Sequence, residues 1–206
     1  MIIEKLEVGP IMANCFILGC ESTKEAVVID PGDDSDQILM KLAEFGLKVK
    51  YLINTHGHFD HVSANKRMKK ATGAPIAIHP EDEYMFSELS QSAKMFGLES
   101  ENSPPADILL NDGDEVKFGE ITLKVIHTPG HSKGGICLYT EGHLFAGDTL
   151  FASSIGRTDL PGGDYATLIS SIKQKVFAFD DDTIVYTGHG PETSIGREKA
   201  TNPFLR

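Results

Sequence analysis

The segment Thr55-His56-Gly57-His58-Phe59-Asp60-His61 puts three imidazoles and a carboxylate within six residues, directly after the apolar run 49–53. Imidazole and carboxylate are donors that Zn²⁺, Fe²⁺ and Mn²⁺ accept, and four of them so close in sequence do not easily serve one ion. In an extended chain His56, His58 and Asp60 point one way and His61 the other, so convergence requires a turn, which Gly57 favours. The same placement recurs three times. His131 follows the apolar run 121–126 through Thr128-Pro129-Gly130, Asp148 follows 144–146 through Gly147, and His189 follows 184–186 through Gly188. A chain that delivers ligand-type residues after four such runs must bring four strand ends together, which is where sites form on α/β sheets.

The flanking pattern agrees. Strand signals fall at residues 26–29, 49–53, 76–78, 115–118, 121–126, 136–139, 144–146 and 183–186. Between them, Ile38, Leu39, Leu42 and Phe45 share one helical face, capped by Asp34 or Ser35 and stopped by Gly46. Pro80 opens a second helix with Met85, Phe86, Leu89, Ala93 and Phe96 inward, and Leu168, Ile169, Ile172 and Val176 mark a third. Sheets with helices packed outside are expected, a layered α/β arrangement within a single domain, residues 1–206.

Seven donors serve two divalent ions if one carboxylate bridges. The assignment is His56, His58 and His131 on one ion, Asp60, His61 and His189 on the other, and Asp148 between them, with room for a shared water. Two dications against two carboxylates and a hydroxide leave about one positive charge, enough to attract an acyl oxygen. Zinc leads among the metals, with iron or manganese as alternatives. Asp30, after its own strand, reads as a turn former or a hydrogen-bond partner of a ligand histidine; His79, His127 and His143 read as ordinary histidines.

Composition excludes other classes. Nineteen basic against thirty acidic residues give a net charge of −11, which repels a phosphate backbone and argues against nucleic acid. No apolar tract is long enough to span a membrane, and Met1 to Phe16 lacks the features of a secretory signal, so no membrane partner and a cytoplasmic location are expected. Cys15, Cys20 and Cys137 are too few and scattered for a disulfide framework and read as packed thiols.

Together, His56-x-His58-x-Asp60-His61, Thr128-Pro129-Gly130-His131-Ser132, Phe145-Ala146-Gly147-Asp148-Thr149-Leu150-Phe151 and Gly188-His189-Gly190 resemble the metallo-β-lactamase superfamily in order and approximate spacing over nearly the whole chain. The resemblance implies an αββα sandwich with a dinuclear site at one edge of its two sheets. An aspartate after Phe-Ala-Gly is similar to glyoxalase II (hydroxyacylglutathione hydrolase) and its relatives, whereas zinc β-lactamases lack that bridge. The stretch Gly156-Arg157-Thr158-Asp159-Leu160-Pro161-Gly162-Gly163 resembles short glyoxalase II-like hydrolases, with Arg157 where glyoxalase II has a cationic residue. The chain departs from full-length glyoxalase II in ending at Arg206, without the helical region that supplies basic glutathione contacts.

The expectation is a metal-dependent hydrolase that cleaves a small-molecule thioester, such as the glutathione conjugate S-D-lactoylglutathione, by attack of a metal-bridging hydroxide. Asp60 is ligand and proton acceptor, and Arg157 binds substrate through its forked guanidinium. The alternatives are a mononuclear iron persulfide dioxygenase, whose family carries a similar set of seven residues and a Gly-Arg-Thr-Asp segment, and a lactonase.

Overall fold

The computed structural model describes residues 1–206. One six-stranded sheet runs in chain order through β1 (Ile2–Val8), β2 (Ala13–Gly19), β3 (Glu25–Ile29), β4 (Lys48–Ile53), β5 (Ile76–Ile78) and β6 (Ile108–Leu109). Its first three strands are antiparallel, and β3 to β6 are parallel. The parallel crossovers carry α1 (Ser35–Glu44), α2 (Phe59–Val62), α3 (Asn65–Thr72) and α4 (Leu89–Met95).

The second six-stranded sheet is an antiparallel meander of β7 (Glu115–Phe118), β8 (Ile121–His127), β9 (Ile136–Thr140) and β10 (His143–Gly147). A small hairpin, β11 (Leu150–Phe151) with β12 (Ser154–Ile155), follows, and then α5 (Tyr165–Gln174). The chain returns to the sheet as β13 (Ile184–Thr187), parallel to β10, and β14 (Thr193–Ser194), and ends in α6 (Ile195–Thr201).

Alternation along the strands builds three apolar layers. Cys15 and Ile17 of β2 face Ile38, Leu42 and Met68 of α1 and α3. Phe16 and Leu18, the intervening residues, face the second sheet, where Phe118, Leu123, Leu138 and Phe145 meet them. On the far side, Cys137 of β9 and Ala146 of β10 pack with Leu168, Ile172 and Ile195 of α5 and α6. The result is the expected αββα sandwich, and each fully buried Leu or Ile side chain contributes roughly 1.5–3 kcal/mol. The three cysteines are buried and free, and no helix is long and apolar enough to cross a membrane.

Three local readings need correction. β1 and β2, joined across the turn at Gly9-Pro10, are not among the expected strands, yet they close the near edge of the first sheet. Asp34 does precede α1, but its side chain accepts from Gly9 N–H at 2.9 Å and does not cap the helix. The helix expected from Pro80 is a 3₁₀ turn over Glu83–Ser87 followed by α4, broken at Glu88. Phe86, Leu89 and Ala93 stay in the core, while Met85 of the 3₁₀ turn and Phe96, the residue that ends α4, face a cavity.

Candidate metal centre

Four strands lead into the site: β4 from the first sheet and β8, β10 and β13 from the second. Beyond β4 the chain turns through His56-Gly57-His58 into α2, one helical turn that carries Asp60 and His61. His131, Asp148 and His189 follow the other three strands within a few residues. Two glycines allow the approach. Gly147 has φ +47°, and a Cβ there would strike the Thr55 hydroxyl; a Cβ on Gly188 would overlap Asp148 Oδ1.

Six of the seven expected donors lie in two clusters, and His56 and His61 also lie close to Asp30. Donor atoms of His56, His58 and His131 lie within 4.8 Å of one another, and so do those of Asp60, His61 and His189. In the first group His131 Nε2 is 2.9 Å from His58 Nδ1. In the second His61 Nε2 is 3.2 Å from His189 Nε2, and Asp60 Oδ2 is 3.3 Å from the latter. Asp148 reaches both, with Oδ2 3.5 Å from His131 Nε2 and Oδ1 3.5 Å from His61 Nε2.

Hydrogen bonds around the ring set the tautomers. His131 Nδ1–H donates to the Arg157 carbonyl at 2.8 Å, so Nε2 offers its lone pair to the site. His61 Nδ1–H donates to Asp30 Oδ2 at 3.1 Å. Thr55 gives its hydroxyl proton to Asp30 and accepts from His56 Nδ1–H at 3.1 Å, which leaves His56 Nε2 facing inward. Asp30 is thus the histidine partner that the sequence suggests. His56 Nε2 and Asp148 Oδ1 are buried without any hydrogen-bond partner. A buried polar atom left unpaired is costly, and lone pairs facing each other across about 3 Å need a proton or a cation between them. The donor set fits divalent ions.

The protonation of these groups follows from burial and crowding. Burial and neighbouring imidazoles hold His56 well below its ordinary 6.5 and bring His58 down to about 3. Burial also opposes charge on His61, but Asp60, Asp148 and Asp30 outweigh it and push this imidazole up to about 10. Asp60 is partly buried, which opposes its charge, yet the adjacent His61 and His189 hold its carboxyl below the usual range.

One residue was missed. Asp82 is fully buried and its carboxylate accepts Gly57 N–H at 3.1 Å, Ser132 O–H at 2.6 Å and Gly134 N–H at 2.6 Å. It ties the loop of His56 and His58 to the loop of His131. An aspartate two residues after Pro80 gives no sequence signal of this role. His127 and His79 stack with ring centroids 4.0 Å apart, away from the seven donors, and His127 Nε2–H donates to the Lys133 carbonyl.

Arg157 lines the cavity above the donors, but its Nε and terminal nitrogen donate to both oxygens of Asp159 at 2.7 and 2.8 Å. The cavity, about 490 Å³, has His58, Asp60, His131, Asp148 and His189 in its wall.

Fold and donor arrangement define the class: an αββα sandwich whose sheet edge gathers imidazoles and carboxylates of the kind divalent ions accept. The sequence profile of the metallo-beta-lactamase superfamily matches residues 8–189, and the chain belongs to that superfamily, whose members are generally metal-dependent hydrolases. The hydroxyacylglutathione hydrolase GloC of Haemophilus influenzae is 38% identical across 100% of this chain and 98% of its own. A crystal structure described as the BLEG-1 B3 metallo-beta-lactamase superposes with a TM-score of 0.93 at 38% identity, covering 99% of each chain. TTHA1623, solved in a di-iron-bound form, superposes with a TM-score of 0.91 at 35% identity over 98% of this chain and 100% of its own.

Proposed function

We propose that this protein hydrolyses thioesters at a pair of divalent ions. His56, His58 and His131 would hold one, Asp60, His61 and His189 the other, and Asp148 would touch both. The reading rests on one observation above all: two triads whose donor atoms lie within 4.8 Å of one another, with a carboxylate between them that reaches His61 of one and His131 of the other. Ions bound there would supply Lewis acidity toward the acyl oxygen and toward water.

The chain's own groups supply the rest. Asp60, ionised at neutral pH and 16% exposed at its side chain, can accept the proton of a water as that water adds to the acyl carbon. The carbon–sulfur bond then breaks and thiolate leaves, which requires no dedicated proton donor. Asp30 and Thr55 keep the imidazoles of His61 and His56 in the tautomers described.

The test is turnover of S-D-lactoylglutathione, chosen for the name of the Haemophilus relative, beside other thioesters on protein whose metal has been counted. Two ions per chain with thioester cleavage support the reading. One iron per chain with oxygen uptake on glutathione persulfide would replace it with the dioxygenase. The likeness to BLEG-1 favours a second reading, β-lactam hydrolysis. A chromogenic cephalosporin and an acyl lactone, assayed on the same preparation, separate that reading and the lactonase from the first.

A further inference from the structure

The wall of the cavity above the donors is apolar on both sides. Ile11 and Phe59 stand on one side with Met95 and Phe96, while Phe151 and Leu160 belong to the hairpin and the loop after it. Met95 is 76% exposed and Phe96 47%, although both are large hydrophobic side chains next to a core that could have covered them. Met95 is the last residue of α4 and Phe96 the residue that ends it.

Charge points the same way. No lysine lines the cavity, and the single arginine, Arg157, has its fork taken up by Asp159. Glu88, at the wall, adds a negative group to those of Asp60 and Asp148. Glutathione carries two carboxylates and one ammonium, and nothing in this wall offers its carboxylates a free cation. Apolar walls around a few convergent polar groups suit a ligand whose body is hydrophobic and whose reacting bond alone is polar.

We infer that the preferred substrates carry an uncharged, apolar acyl or thiol arm that lies against Ile11, Phe59, Met95, Phe96, Phe151 and Leu160. This inference rests on the proposed thioester hydrolysis and narrows it to a substrate class. Each methylene buried there should gain up to about fourfold in binding, the transfer value for a CH₂ group.

Two measurements test it. The first is calorimetric binding of uncleavable thioethers, in two series that lengthen one arm and then the other from methyl to hexyl. The second is kcat/KM for acyl thioesters of N-acetylcysteamine from acetyl to hexanoyl, with S-D-lactoylglutathione alongside. Tightening of about threefold per methylene in at least one thioether series, reduced in Met95→Ser/Phe96→Ser, is expected. Binding that is flat or weakens with length in both series overturns the inference, even if thioesters are cleaved. Length-dependent thioether binding with no cleavage of any thioester leaves the apolar subsite standing and removes the hydrolase reading.

Discussion

His131 Nε2 lies 2.9 Å from His58 Nδ1, although 73 residues separate them in sequence. His131 has already committed its Nδ1 proton to the Arg157 carbonyl, so the atom that faces His58 is a lone pair. His58 is held neutral by burial and by this same neighbour. A proton on His58 Nδ1 joins the pair in the metal-free protein, and a cation before both nitrogens would take its place.

His58→Ala should therefore lower metal content by about one ion per chain and reduce turnover by about a hundredfold or more. Removing an outer partner of a ligand already costs 10–100-fold, and a ligand itself should cost no less. Elemental analysis and far-UV circular dichroism check this. Full turnover in the variant would take His58 out of the mechanism.

Asp82→Ala leaves the Gly57 and Gly134 amides and the Ser132 hydroxyl without their acceptor in a buried setting. Unfolding in urea should show a loss of about 3 kcal/mol, given roughly 1–3 kcal/mol for each unsatisfied group and partial relaxation. Metal affinity should fall mainly at the ion of His56, His58 and His131, whose two loops Asp82 joins. Equal weakening at both ions would contradict that placement.

Asp30→Asn tests the tautomers. Asparagine can accept from only one side where the carboxylate now takes the Thr55 amide, the Thr55 hydroxyl and His61 Nδ1–H. Metal affinity is expected to drop about 10–100-fold, read by competition with a chelator.

The metal-free protein should be most stable near pH 6.5. On the acid side, His56 and His58 resist protonation in the folded state, so the unfolded chain gains protons first and stability falls as pH drops below 6.5. On the alkaline side, His61 keeps its proton in the folded state up to about 10, a stabilisation complete below 6.5 and lost as pH rises toward 10. If His61 ligates zinc as proposed, it would bind deprotonated and the alkaline decline should vanish with zinc present. Thermal melts across pH 5–10, with and without zinc, check both arms; identical profiles would count against His61 as a ligand.

How far the sequence led depends on how local the signal is. The donors were legible because each follows an apolar run and a turn, a placement that spacing alone reveals. Asp30 was legible for the same reason. Asp82 was not, since its three partners lie 25, 50 and 52 residues away and nothing nearby marks a buried carboxylate. The cavity wall was hidden by periodicity: Met85 and Phe96 fit a helical face with Phe86, Leu89 and Ala93, whereas the 3₁₀ turn puts Met85 and the end of α4 puts Phe96 on the cavity. β1 and β2 went unread because the first alternates weakly and the second, buried on both faces, does not alternate at all.

Anomalous diffraction from crystals of metal-loaded protein tests the central claim most directly. Two peaks are predicted, one in contact with His56, His58 and His131, the other with Asp60, His61 and His189, and Asp148 bonded to both. A single peak, or two that share no carboxylate, would contradict it.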